Sequence, residues 1–382
     1  MSADLLSRLD GAIDAAIGWS LSNQDPEGWW NGKLESNACM EAQWLLALHF
    51  LGRADHEARD KIAQAIVNYR REDGSWEVYR GAPSGDINTT VECYVALRAA
   101  GHDPESEAMR QTRQWIFDHG GLGAVRVFTK FWLALLGEWP WRHTPTLPPE
   151  IIFLPSWAPL NIYWFSQWGR ATMVPLCILS ARRPVRPLPE DRRPHELFPD
   201  GRDNFDYRMP KEKRGTVEAF FRFADRALSA YVGSPIHPGR ETAIASCLEW
   251  ILRHQDADGA WGGIQPPWVY GLMALDVEGY ALSHPVMEKG LTAALTPPWA
   301  YEEDGGLRIQ ASDSIVWDTI LTLQAFFDCG VQLTESPPLV RALEWVLDQQ
   351  VFAPGDWQVY VKGVEPGGWA FERANASYPD VD

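Results

Sequence analysis

A loosely repeated pattern, Gln-x-x-x-Gly-x-Trp, constrains this chain more than any other feature of it. The pattern occurs at Gln24, Gly28 and Trp30, and again at Gln255, Gly259 and Trp261. Arg70, Gly74 and Trp76 keep the spacing with Arg in place of Gln, and Gln350, Gly355 and Trp357 match with one extra residue. The offsets are 70 - 24 = 46, 255 - 70 = 185 and 350 - 255 = 95, or about one, four and two units. A unit near 46 residues is the length of a helix pair, so the repeat reads as stacked helical hairpins. Each copy follows a helical stripe, Cys247, Leu248, Trp250, Ile251 before Gln255 and Ala342, Leu343, Trp345, Val346 before Gln350. The glycine supplies the left-handed stop. Strand signals are rare, and taken alone the motif tryptophans read as fillers between turns of an α-solenoid.

The 382 residues exceed one ordinary domain, so two units, or one with a second inserted, are expected. Twenty tryptophans are several times the usual load of a soluble protein and point to a need for large π-faces. The five cysteines, Cys39, Cys93, Cys177, Cys247 and Cys329, are scattered, with no zinc-like spacing, and no two aspartates are adjacent, so no DDxxD motif exists to hold magnesium. No metal or cofactor is expected. Neither a cleavable signal peptide nor a run of eighteen apolar residues is evident, so a chain that remains in the cytoplasm or on a membrane face is expected. A formal net charge of -17 argues against a nucleic-acid partner. The charge is uneven: from Arg182 to Arg226 there are 12 basic and 9 acidic residues, a local +3, against -20 for the remainder. That segment is expected to face something the rest would repel. Within it Val217, Phe220, Phe221, Ala224, Ala227, Leu228 and Tyr231 form one helical stripe, widened by Phe223 and flanked by Arg222 and Arg226. Such a helix packs on a barrel or lies in a membrane interface.

The segments GWW (28–30), SNACMEA (36–42), REDGSW (71–76), VFTKFWLALLGEWPW (127–141), PLNIYWFSQW (159–168), DGAWGGIQPPW (258–268), QASDSIVWDT (310–319) and YPDVD (378–382) resemble squalene-hopene cyclases in order and spacing. The resemblance implies an all-α fold of two α/α barrels (toroids), one inserted in the other. Residues 1–35 would be the leading helix of the catalytic barrel, 36–308 the inserted barrel, and 309–382 the resumption of the first. It further implies a class II cyclase that protonates squalene, or a similar polyprene, and yields hopene or hopanol. The protein would be monotopic on the cytoplasmic face of a bacterial membrane, with a homodimer among the assemblies allowed. Phe220, Phe221, Phe223, Leu228 and Tyr231 would meet the lipid from which squalene arrives.

By itself Asp-x-Asp is a weak signal. After GGWAF and Tyr378-Pro379 it resembles the family's DxDD motif, which makes Asp382 the proton donor and Asp380 its supporting carboxylate. Crowded carboxylates can keep one member protonated at neutral pH, as alkene protonation requires. Trp168, Trp317 and Phe371 match cavity aromatics, whose faces stabilise a cation without accepting its proton. Glu92, Arg126 and Gln265 match retained polar positions that would hold a channel constriction or orient water, with a buried structural salt bridge as the equal alternative. Where the family usually reads MEAE, this chain has Met40-Glu41-Ala42-Gln43, so Gln43 replaces a carboxylate. The next aspartate of the motif lies beyond residue 382, and the chain is read as stopping inside the motif, unable to cyclise alone. Alternatives at this stage are a cyclase of another polyprene, or a non-catalytic lipid-binding half of a split enzyme.

Overall fold

The tryptophan repeats are best understood from the helix ends they serve. The computed structural model describes residues 3–208, 231, 237–373, 375 and 377. Within these the chain forms two compact units, one made of Met1–Leu34 with Ser312–Asp382, the other of Glu35–Ala311.

The second unit alternates two kinds of helix. The helices α2 (Cys39–Phe50), α4 (Ile87–Ala100), α6 (Val127–Leu135), α7 (Gln167–Arg182) and α9 (Gln265–Val277) are buried on most of their surface. Between them α3 (Arg59–Asn68), α5 (Glu107–Asp118), α8 (Arg240–Arg253) and α10 (Pro285–Ala294) bury a single stripe, such as Ile62, Ala63, Ala65 and Ile66 in α3 or Met109, Thr112, Trp115 and Ile116 in α5. A helix apolar all round must be enclosed, and one with a single apolar stripe must face solvent on the other side. The order inner, outer is that of an α/α barrel, interrupted once where the inner helices α6 and α7 are separated only by short 3-10 turns, with α2 packed against α4 and α9, and α9 against α7. A two-stranded antiparallel hairpin, β1 (Ala300–Glu303) and β2 (Gly306–Ile309), packs against α3 in an otherwise helical unit.

The first unit comprises α1 (Ala3–Ser22), α11 (Ile315–Asp328) and α12 (Pro337–Asp348). Its core gathers Trp30, Ile315, Val316, Leu323, Phe326, Leu339, Ala342 and Trp345.

In each repeat the Trp indole donates to the carbonyl two residues before the end of the preceding helix: Trp30 to Ser20 (2.7 Å), Trp76 to Ile66 (2.7 Å), Trp261 to Ile251 (2.8 Å). Carbonyls in the last turn lack an i+4 helical donor, and the indole supplies one, alone at Ile66 O and alongside the Asn23 and His254 N–H groups at Ser20 O and Ile251 O (3.2 Å each). Gln24 donates both to Gly28 O (2.7 Å) and to Pro338 O in the first turn of α12 (2.8 Å), and Gln255 likewise to Gly259 O (3.0 Å) and Val286 O in α10 (2.9 Å). The glycine is obligatory: Gly28 and Gly259 both have φ +111°, and a Cβ there would lie 2.8 Å from Arg341 O and 2.9 Å from Lys289 O.

The fourth repeat corrects the sequence reading. Gln350 donates to Gly367 O (2.6 Å) and Trp369, not Trp357, donates to Val346 O, two residues before the end of α12 (2.7 Å). The motif is Gln350, Gly367, Trp369, with 17 - 4 = 13 residues inserted between Gln and Gly. The Trp357 indole N–H is buried with no partner among the described residues.

Candidate functional site

The candidate residues fall into two groups, one in each unit. In the first unit, Trp317 stands in the opening turn of α11 and its ring is 40% exposed. Its centroid lies 5.7 Å from that of Phe371, the rings tilted by 46°. The pairing follows from backbone chemistry: the free N–H groups at the start of α11 find carbonyls of the returning chain, Val316 N to Glu372 O (3.1 Å) and Trp317 N to Phe371 O (3.4 Å). Asp313 caps the same turn by accepting from Ile315 N (3.0 Å), and Asn375 donates to Glu372 (2.9 Å), both side chains buried. In sequence, Asp380, the first residue of the expected acid motif, follows Asn375 by five positions. Asp380 and Asp382 themselves lie outside the described residues.

The second group surrounds a carboxylate. Glu92 sits on α4, an inner helix, and is 2% exposed. Gln43 on α2 donates to its Oε2 (2.8 Å), Thr129 on α6 donates to its Oε1, and Arg126 Nη2 lies 3.6 Å from Oε1. Arg126 caps α6 and is fixed by its backbone N–H, which donates to Asn88 Oδ1 (2.6 Å). Gln265 opens α9, 1% exposed, with Nε2 donating to Met40 O (3.2 Å) and 3.4 Å from Gln43 Oε1. Its Oε1 is buried without a partner among the described residues. Burial opposes the Arg126 charge, but Glu92 together with Cys39, Asp86 and Tyr270 offsets it, and the guanidinium pKa is raised. Burial first, then the Glu92 charge, pushes the thiols of Cys39 and Cys93 and the Tyr270 phenol well up, so all three stay neutral around it. The result is one negative centre in an apolar wall, held by two hydrogen bonds and one half-exposed guanidinium, with a spare carbonyl acceptor beside it. Such a centre can order a water or a polar constriction.

Glu92, Arg126 and Gln265 are thus brought together. Thr129 completes the set and was missed from sequence; its position one turn after Arg126 on the same helix is the signal that would have found it. Trp168 lies elsewhere in this unit, the second residue of α7 behind the Ser166 cap (Oγ accepting from Gly169 N, 3.2 Å), and its ring is 40% exposed.

The expected membrane residues Phe220, Phe221, Phe223 and Leu228 lie outside the described residues. Tyr231 is described, and its hydroxyl donates to Glu150 (2.9 Å), with its ring edge-on to His237. The basic segment requires a correction up to residue 208. Arg182 pairs with Glu241 and Glu278, Arg186 with Asp276, and Arg193 and Arg202 both with the buried Glu138. These arginines neutralise carboxylates of their own barrel, so they are not a free cationic face. Among the described residues no group of three or more His, Cys, Asp or Glu could hold a metal ion, and no helix is long and apolar enough to cross a membrane.

Comparison with known proteins gives the same class. Residues 13–303 match the model of the squalene-hopene cyclase N-terminal domain, and residues 313–382 that of the C-terminal domain. The chain is 43% identical over 374 residues to a squalene–hopene cyclase of Alicyclobacillus acidocaldarius, covering 97% of this chain and 57% of that one. It is 34% identical to a terpene cyclase–glycosyl transferase fusion protein of Humicola fuscoatra, over 100% of this chain and 31% of that one. It is also 36% identical to a squalene hopane cyclase of Aspergillus fumigatus, over 92% of this chain and 49% of that one. An all-α barrel fold stapled by Gln/Trp repeats, with these relatives, defines the terpene-cyclase class. Within that class the chain belongs to the squalene-hopene cyclase family. It spans about half the length, or less, of these relatives.

Proposed function

We propose that this chain carries the N-terminal part of a class II cyclase that protonates squalene and closes it to hopene or hopanol. The observation that carries the reading is the 43% identity to a squalene–hopene cyclase over 97% of the chain. In this reading residues 1–35 and 309–382 belong to the catalytic barrel and 36–308 to the inserted one. Asp382 delivers the proton to the terminal alkene and Asp380 supports it. The tertiary cation that results meets the faces of Trp168, Trp317 and Phe371, each worth up to about 2 kcal/mol when desolvated and none basic enough to end the cascade early. Glu92, Arg126 and Gln265 order water or narrow the path of the substrate. Phe220, Phe221, Phe223, Leu228 and Tyr231 seat the protein monotopically on the cytoplasmic membrane face, where squalene is dissolved, and two such chains pair as a dimer.

The test is squalene turnover by this chain extended with a family C-terminal half. Asp382→Asn should abolish cyclisation with the fold intact, because an amide cannot protonate an alkene. Trp317→Ala should release partly cyclised products. Parental product from both variants would remove these residues from the site and leave the proposal without its acid.

A further inference from the structure

From Ile151 to Gly169 there are 19 consecutive residues without one charged side chain, six of them aromatic, in a protein of net charge -17. The structure places much of this uncharged chain on the surface. Trp157 is 83% exposed and Trp164 57%, and Phe153, Leu154, Leu160 and Phe165 are exposed beside them in sequence. Exposed apolar surface on this scale, rather than scattered single residues, marks a contact with something else.

The segment is neither helix nor strand through most of its length, yet it is firmly held. Asn161 is wholly buried and works as a three-way staple: Nδ2 donates to Ser156 O (3.1 Å) and Ala158 O (2.7 Å), and Oδ1 accepts from Tyr163 N (2.9 Å). Arg170 reaches back to donate to Phe165 O (3.0 Å). Leu160 is held at φ 61°, a left-handed conformation that side-chain-bearing residues seldom adopt unless the surroundings impose it. Ala158 N donates to Pro155 O (2.8 Å) and Trp164 N to Asn161 O (3.1 Å), so the loop turns on itself rather than offering a strand edge. The backbone of this loop is thus bonded within the loop while Trp157 and Trp164 are exposed.

We infer that the loop of residues 153–165 is a second membrane-seating element, with Trp157 and Trp164 entering the interface of a lipid bilayer. This deepens the membrane placement proposed above and rests on it. Three observations select lipid as the occupant. Tryptophan joins an apolar ring to one N–H, the combination favoured where hydrocarbon meets headgroups. The absence of carboxylates over 19 residues makes this a face on which an acidic protein can approach an anionic surface without repulsion. The loop is also tied to the segment expected on lipid: Glu150, immediately before it, accepts from both the Tyr231 hydroxyl (2.9 Å) and Arg240 (3.0 Å).

The experiment places an NBD fluorophore on Trp157→Cys in a Cys329→Ser background, where the four remaining cysteines are buried. Added phosphatidylcholine–phosphatidylglycerol vesicles should shift its emission to the blue and expose it to quenching by lipids that carry a nitroxide near the headgroup. A label on the exposed Thr292→Cys should not respond. Trp157→Ser/Trp164→Ser, with unchanged circular dichroism, should weaken vesicle partitioning about tenfold or more. If Phe220→Ser/Phe221→Ser/Phe223→Ser releases the protein from vesicles while the 157 label stays in water and the double variant partitions like the parent, the loop proposal falls and the membrane helix stands. If the parent does not partition at all, both fall. A blue shift without vesicles that grows with protein concentration, or that appears on fusing a family C-terminal half, assigns the face to a second copy or to further chain and overturns the proposal.

Discussion

Replacing Glu41 by Gln should make the protein more stable at pH 8 than the parent, relative to their difference at pH 5, although Glu41 stands beside an arginine. Glu41 on α2 and Arg308 on β2 are both essentially inaccessible, with Glu41 Oε2 3.2 Å from Arg308 Nη1 but without hydrogen-bond alignment. Its other oxygen accepts from Ile309 N (2.8 Å). Burial raises the carboxyl pKa from 4.5 to about 7, and the Arg308 charge and the backbone bond only partly offset it. A folded pKa above the unfolded one means that folding takes up a proton between the two values. This contribution is therefore full below about pH 4.5 and is lost as pH rises to and through 7. The shift corresponds to about 3 kcal/mol, most of it lost between pH 5 and 8. The Gln variant keeps the shape and an acceptor for Ile309 N, and it never titrates. Urea unfolding of both proteins at pH 5, 6, 7 and 8 should show the parent losing about 3 kcal/mol relative to the variant. A difference that is flat with pH, or that grows in favour of the parent, would show that attraction to Arg308 outweighs burial and would refute the reasoning.

Gln43→Glu would set a second buried carboxylate where Gln43 Nε2 now lies 2.8 Å from Glu92, so its urea midpoint should drop more steeply than the parent's from pH 6 to 8. Trp369→Phe should cost about 1 kcal/mol in urea unfolding by removing the indole donor from Val346 O and leaving it only the Gln349 N–H (3.1 Å), while Trp357→Phe, losing an N–H with no partner among the described residues, should stay within about 0.5 kcal/mol. Equal losses would undo the reassigned repeat. Gly28→Ala should cost about 2 kcal/mol or more, since φ is +111° and the new Cβ would lie 2.8 Å from Arg341 O; Gly52→Ala, at φ +70° with open space, should cost about 1 kcal/mol. Thermal melting of the pair checks the ranking.

The parts legible in the sequence are those whose partners lie nearby. Gln24, Gly28 and Trp30 sit within one loop, so their spacing survives as a pattern, and the alternation of helices follows from it. The fourth copy was misread because 13 inserted residues put Gly367 out of register with Gln350, and a chance Gly355-x-Trp357 filled the expected place. The hydrogen bonds of Gln350 to Gly367 O and of the Trp369 indole to Val346 O distinguish the two tryptophans. The charge of the segment from Arg182 was legible as a sum but not as a set of pairs. Arg193 and Glu138 are 55 residues apart and Arg182 and Glu278 are 96, so counting cannot tell a neutralised arginine from a free one. Glu92, Arg126 and Gln265 could be grouped only by resemblance, because separations of 34 and 139 residues carry no periodic signal.

Gln43 gives that group a defined character. An amide can donate from one end and accept at the other, and here Nε2 faces Glu92 while Oε1 faces Gln265 at 3.4 Å. The donor end requires an acceptor on Glu92, which ionised Glu92 supplies and which Thr129 and Arg126 also favour. A carboxylate in place of Gln43, as the family pattern has it, would need a proton to make the same bond, and two acids would then share it. With the amide, Glu92 is the one carboxylate among these side chains, and Gln43 donates toward it. The Gln265 Oε1, buried without a partner among the described residues, is then the acceptor that remains for a water. The substitution thus fixes the direction of hydrogen bonding from Gln43 to Glu92, and a water at Gln265 Oε1 would have to donate to it.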